Sequence, residues 1–132
     1  MKLKFGKVEI VDNVAQLNFK EVETNDTLQL MYDEIGCDCI DIPFVSNLYG
    51  QNNIDVVIDD EGKLKEDKAI TGLIVNEDGF VIDTIVGNYL LMSHNDDGDT
   101  VSLTDEQIFK IKQSFRLATT NICSDIVSVI PV

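Results

Sequence analysis

A chain of 132 residues, 44% of them hydrophobic, is long enough for one ordinary core over residues 1–132 and too apolar for general disorder. Twenty-four acids against ten bases give a net charge of −14. That excludes direct binding of nucleic acid or an anionic membrane, because both need Lys and Arg to offset phosphate.

Lys2 to Phe5 and Lys7 to Val11 read as a strand broken at Gly6, turned at Asp12-Asn13 into a second strand with Ala15, Leu17 and Phe19 on one side. The charged N-terminus is not followed by an apolar stretch, so no secretory signal is expected, and no apolar run approaches the ~20 residues of a membrane helix. Thr24-Asn25-Asp26 carries helix-start chemistry, because a side-chain oxygen there accepts first-turn amides. Leu28, Met31 and Ile35 then form one apolar stripe, and Gly36 stands where a left-handed cap belongs. Cys39 to Ile42 reads as a strand stopped at Pro43, which cannot donate to a ladder. Ser46 to Asn53 is a polar loop with Leu48 and Tyr49 as anchors.

The cysteines are Cys37, Cys39 and Cys123. An odd number with a tight C-x-C pair points to free thiols and a reducing, cytoplasmic setting. Zinc would need a fourth ligand; the sole histidine is His94, in an expected turn, and C-x-C is not the usual zinc spacing.

Between Asp55 and Glu106 stand 14 acids and 3 bases, so most of the negative charge lies there. Three tetrapeptides punctuate this stretch: Asp59-Asp60-Glu61-Gly62, Asn76-Glu77-Asp78-Gly79 and Asn95-Asp96-Asp97-Gly98. An Asx residue, two acids and a glycine make a type I turn closed by a glycine at positive φ. Strand formers flank each turn, and the apolar run from Phe80 to Met92, interrupted at Gly87-Asn88, reads as two strands or one strand with a bulge, near the middle of the sheet. Thr104 and Gln107 form a capping box. Ile108, Ile111, Phe115, Ala118 and Ile122 follow at helical spacing, and Ile126 to Ile130 makes a last strand. The expected fold is α+β: a mostly antiparallel sheet of about six strands built from hairpins. Two helices, about 26–35 and 105–122, would cover one face.

Three segments together resemble an uncharacterised family of small proteins found mostly in bacteriophages, plasmids and their hosts. They are Thr27 to Leu30 running through to Ile40-Asp41-Ile42-Pro43; Ile54 to Leu64; and Ile85 to Leu90 with Asp97-Gly98-Asp99 and Ser102 to Glu106. The resemblance covers about Glu21 to Ile108. It implies a mobile-element context and no active site.

No motif assigns chemistry. An EF-hand read around Gly62, Gly79 or Gly98 puts Lys68, Ile85 or Thr104 where a bidentate Glu belongs, so no calcium loop is expected. Carboxylates in solvated turns lack the apolar cleft that general acid–base work needs, and nothing ties His94 to a nucleophile. No catalytic residue, metal or cofactor is therefore expected. Asp59, Asp60, Glu61, Glu77, Asp78, Asp96, Asp97 and Asp99 are the expected partner-binding residues. On neighbouring hairpin tips they would imitate phosphate spacing and attract a basic host protein, a nuclease or another nucleic-acid-binding protein. The competing reading is a structural or self-associating accessory domain, monomer or homodimer, pairing through an apolar edge near Pro43 or the C-terminal strand. Acidity would then serve solubility alone.

Overall fold

The computed structural model describes residues 1–43 and 47–132; Ser46, the start of the expected polar loop, lies outside them. In chain order the elements are β1 (Lys2–Val11), β2 (Val14–Glu23), α1 (Thr27–Ile35), β3 (Ile40–Asp41), β4 (Ile54–Asp59), a 3-10 turn (Gly62–Leu64), β5 (Ile70–Val75), β6 (Val81–Val86), β7 (Tyr89–His94), β8 (Thr100–Val101), α2 (Asp105–Ser114), β9 (Arg116–Ala118) and β10 (Val127–Pro131). This is an α+β fold with two sheets. One is antiparallel in the order β2-β1-β7-β4-β3, with β8 added to β7. The other runs β6-β5-β10-β9, and its β5–β10 pair is parallel.

Both helix starts form as their capping residues require. Asp26 accepts the Gln29 amide, and Gly36 ends α1 at φ 80°. At α2 the Thr104 hydroxyl accepts the Gln107 amide while the Gln107 side chain takes the Thr104 amide. The helices do not share a face, however. Side chains alternate across a strand, and three strands of the first sheet are apolar on both sides. Leu3, Phe5, Val57, Leu90 and Met92 pack with Leu30, Met31 and Ile35 of α1. Val8, Val56, Tyr89 and Leu91 pack the other way, with Ile111 of α2 and Ile74, Ile85 and Ile130 of the second sheet. The two helices therefore sit on opposite faces of β1-β7-β4, and the second core is the space between the sheets.

Three further expectations are corrected. The second helix ends at Ser114, not 122: Phe115 turns extended (φ −67°, ψ 127°) and packs on the core, and Arg116–Ala118 pairs with Val127–Val129. The ladder with β10 replaces the last helical turns, and Ile122 is left exposed. The run from Phe80 to Met92 forms two strands, one of the two readings that its Gly87-Asn88 interruption allows, but they do not both lie mid-sheet. It divides at Gly87, whose amide bonds the Ala69 carbonyl, and only β7 is central. A buried chain ties β7 to the second sheet: the Tyr89 hydroxyl and Ser128 Oγ lie 2.7 Å apart, and Ser128 donates to the Thr71 carbonyl at 2.7 Å. The C-terminal strand is likewise no edge, because β10 lies between β5 and β9. Pro43 does follow an edge strand, β3.

Candidate functional site

Two of the three acidic tetrapeptides form the same corner. The Asn76 carbonyl accepts the Gly79 amide at 2.9 Å, and its side chain accepts the amides of Asp78 and Phe80 at 3.1 and 3.0 Å. The Asn95 carbonyl accepts the Gly98 amide at 3.0 Å, and its side chain accepts those of Asp97 and Asp99 at 3.0 and 2.9 Å. Gly79 and Gly98 sit at φ 85° and 83°, where a Cβ would be strained. Each Asn amide also closes the loop by bonding a carbonyl four residues on. Glu77, Asp78, Asp96, Asp97 and Asp99 are all exposed, and none takes part in an ion pair among the described residues.

The Asp59 tetrapeptide is different. Asp59 points inward, its side chain 3% exposed, with Oδ2 2.6 Å from Lys65 Nζ and Oδ1 accepting the Glu61 amide at 3.0 Å. The hydrogen bond to Asp59 holds the Lys65 ammonium above its ordinary pKa. Gly62 has no positive φ; it opens the 3-10 turn and is needed for space, because a Cβ there would lie 2.7 Å from the Val86 carbonyl. Asp60 and Glu61 are exposed.

Nor do the three corners make one platform. In the antiparallel β4–β7 pair Ile54 faces Ser93 and Val57 faces Leu90, so Asp59–Gly62 and Asn95–Asp99 lie at opposite ends. Six strand residues separate them by about 20 Å. The β5–β6 hairpin repeats the arrangement: Gly62 abuts Val86 at one end, and the Asn76 corner closes the other. The second and third corners share an end, linked through Tyr49–Asn53: the Tyr49 amide bonds Pro131, the Val132 amide bonds Val75, and the His94 amide bonds Asn53. Of the eight expected residues, five stand on the two intact corners, Asp60 and Glu61 lie at the opposite end of the β4–β7 pair, and Asp59 is buried.

Other polar groups are engaged in holding the fold. His94 Nδ1 lies 2.9 Å from Asp55 Oδ2 across the β4–β7 pair, with no hydroxyl or thiol bonded to the ring among the described residues. Asp83 bonds Lys63 at 2.6 Å; burial opposes its ionisation, but the Lys63 ammonium and the Thr84 amide outweigh that and hold its carboxyl below the usual range. Burial, with Asp59 nearby, pushes the Cys37 thiol up. A cleft of about 350 Å³ between the end of β2 and α1 carries Glu23, Asp26, Asp33 and Glu34, a group missed in the sequence. Its signal was the helical spacing of 26, 29, 30, 33 and 34. Each carboxylate is already partnered: the N-terminal ammonium on Glu23, the Gln29 amide on Asp26, the Gln29 side chain on Asp33, and Lys7 and Lys20 on Glu34. Among the described residues no three His, Cys, Asp or Glu side chains are grouped to hold a metal ion. No helix of the described chain is long and apolar enough to cross a membrane.

A family model described as a domain of unknown function, DUF3846, matches residues 7–116. The chain belongs to the DUF3846 family. The match is wider than the resemblance read from the sequence: it takes in most of the first hairpin and all of α2. Both acidic corners lie within the DUF3846 region, and β10 lies beyond it. No match was found among curated proteins or among solved structures.

Proposed function

We propose that this DUF3846 protein is a non-catalytic binding module that holds a basic partner protein on its Glu77–Asp78 and Asp96–Asp99 corners. One observation carries the reading: five exposed carboxylates, without cationic partners among the described residues, stand on two turns fixed by the same set of hydrogen bonds. Turns whose backbone is fixed in advance lose little backbone freedom on binding, and a field of this sign steers a basic surface toward their carboxylates. A mobile-element setting fits the resemblance. The partner chemistry is then that of a host nuclease or another nucleic-acid-binding enzyme, its phosphate groove filled by carboxylates in the cytoplasm.

Capture from a bacterial host lysate, run at low and high salt, tests this. Glu77→Lys with Asp78→Lys, or Asp96→Lys with Asp97→Lys, should abolish capture and leave the fold intact. Asp60→Lys with Glu61→Lys, at the far end, should leave capture unchanged. Capture that survives both corner reversals, or that is insensitive to salt, overturns the proposal.

A further inference from the structure

The binding reading leaves the apolar surface unexplained. Of the ten large exposed hydrophobic residues among the described ones, four lie at the two edges of the four-stranded sheet: Phe80, Val81 and Ile82 on the β6 side, and Leu117 on β9. Each of the three on β6 is more than half exposed. A strand edge with unpaired backbone groups and apolar side chains is a template for another chain.

The two edges are opposite in charge. Glu77 and Asp78 precede Phe80, both without cationic partners among the described residues, and Asp83 follows Ile82. On the other edge stands Arg116, exposed, its guanidinium bonded to the carbonyls of Gln113 and Phe115 and to no carboxylate among the described residues. The edges also match in length. Beyond Asp83, β6 is covered by the 3-10 turn, where Gly62 abuts Val86 and Lys63 bridges Asp83, which leaves Phe80 to Ile82 open. β9 is three residues long. Each open stretch spans about 10 Å.

We propose that β6 of one copy docks against β9 of a second copy, head to tail. This inference does not depend on the partner reading above. Antiparallel pairing of β6 with itself would bring Asp83 of each copy toward Asp78 of the other, where like charges count against it; pairing of β9 with itself would set Arg116 opposite Ala118 and give it no carboxylate. The unlike pairing, with the two strands parallel, places Arg116 beside Glu77 and Asp78, and Leu117 beside Phe80, Val81 and Ile82. A register shift between Ile74 and Val75 leaves Ile82 as an extra residue in β6, a bulge that prevents a long backbone ladder. Side chains therefore carry the contact. Its area falls below the ~1,200 Å² of stable complexes, so association is weak, and because each copy keeps one free edge the product grows as an open chain.

Sedimentation velocity on the purified protein tests this, from about 10 µM to about 1 mM, the range in which small interfaces associate. The wild type should sediment faster as concentration rises, and high salt should reduce the effect. Ile82→Asp alone and Arg116→Glu alone should each remain monomeric. Mixed one to one they should form a dimer and nothing larger, since each supplies the edge the other lacks. Circular dichroism establishes that both variants are folded, and Arg116→Glu keeps every apolar group in place. A wild type that stays monomeric throughout overturns the proposal. So does an Arg116→Glu variant that still associates alone, which would mean that β6 pairs with itself, or a mixture that stays monomeric while the wild type associates.

Discussion

Asp59 answers to three neighbours at once. Its two oxygens take the Lys65 ammonium and the Glu61 amide, and its charge helps to hold the Cys37 thiol protonated. At 3% side-chain exposure the carboxylate is nearly out of water. A lone acid in that position would be costly, so lysine and aspartate stand or fall together. Asp59→Ala leaves the Glu61 amide and Lys65 without their acceptor and should destabilise the fold by about 1–3 kcal/mol, read from urea midpoints. The pair also sets a pH dependence. The pKa of Lys65 is raised in the fold, so its stabilisation is complete below the ordinary value of 10.5 and is lost as pH climbs through the raised one. Melting curves of wild type and Lys65→Met should therefore converge at strongly alkaline pH. No local signal in the sequence separates Asp59 from Asn76 and Asn95: all three open a tetrapeptide ending in glycine. What turns Asp59 inward is a lysine six residues on and a carbonyl of β6, contacts that exist only after folding.

At the scale of elements, the two intact corners should be rigid for a nameable reason, the asparagine side chain that takes two backbone amides. Asn76→Ala and Asn95→Ala should each cost about 1 kcal/mol. Each should also speed hydrogen exchange at its own pair of amides, Asp78 and Phe80 or Asp97 and Asp99, and leave the other corner unaffected. Local chemistry of this kind was legible in the sequence: both helix caps, the Gly36 stop, the first hairpin and two turns depend on residues within four positions of one another. Placement was not. β5 pairs with β10 more than fifty residues away, and α2 ends where it does because β10 offers Arg116–Ala118 a ladder. One sign of the two-sided sheet was present in β1. Its apolar residues stand at odd positions before Gly6 (Leu3, Phe5) and at even positions after it (Val8, Ile10). That is a change of face within one continuous strand, and it reads easily as a break.

For the whole molecule, a net charge of −14 on 132 residues is self-repelling. Added salt should therefore stabilise the isolated protein: its thermal midpoint should rise between about 10 mM and about 150 mM NaCl, as screening shortens the reach of that repulsion. The same change should weaken partner capture and edge docking, so fold stability and association should move in opposite directions. A different consequence follows from β10, which comes after every other described strand and lies inside the second sheet with Ile130 fully buried against the shared core. During synthesis the ribosome releases it after everything it must hold together. Until Val127–Pro131 emerges, Ile74, Ile85 and Tyr89 lack one wall of their enclosure, and the nascent chain waits half-open to chaperone and protease alike.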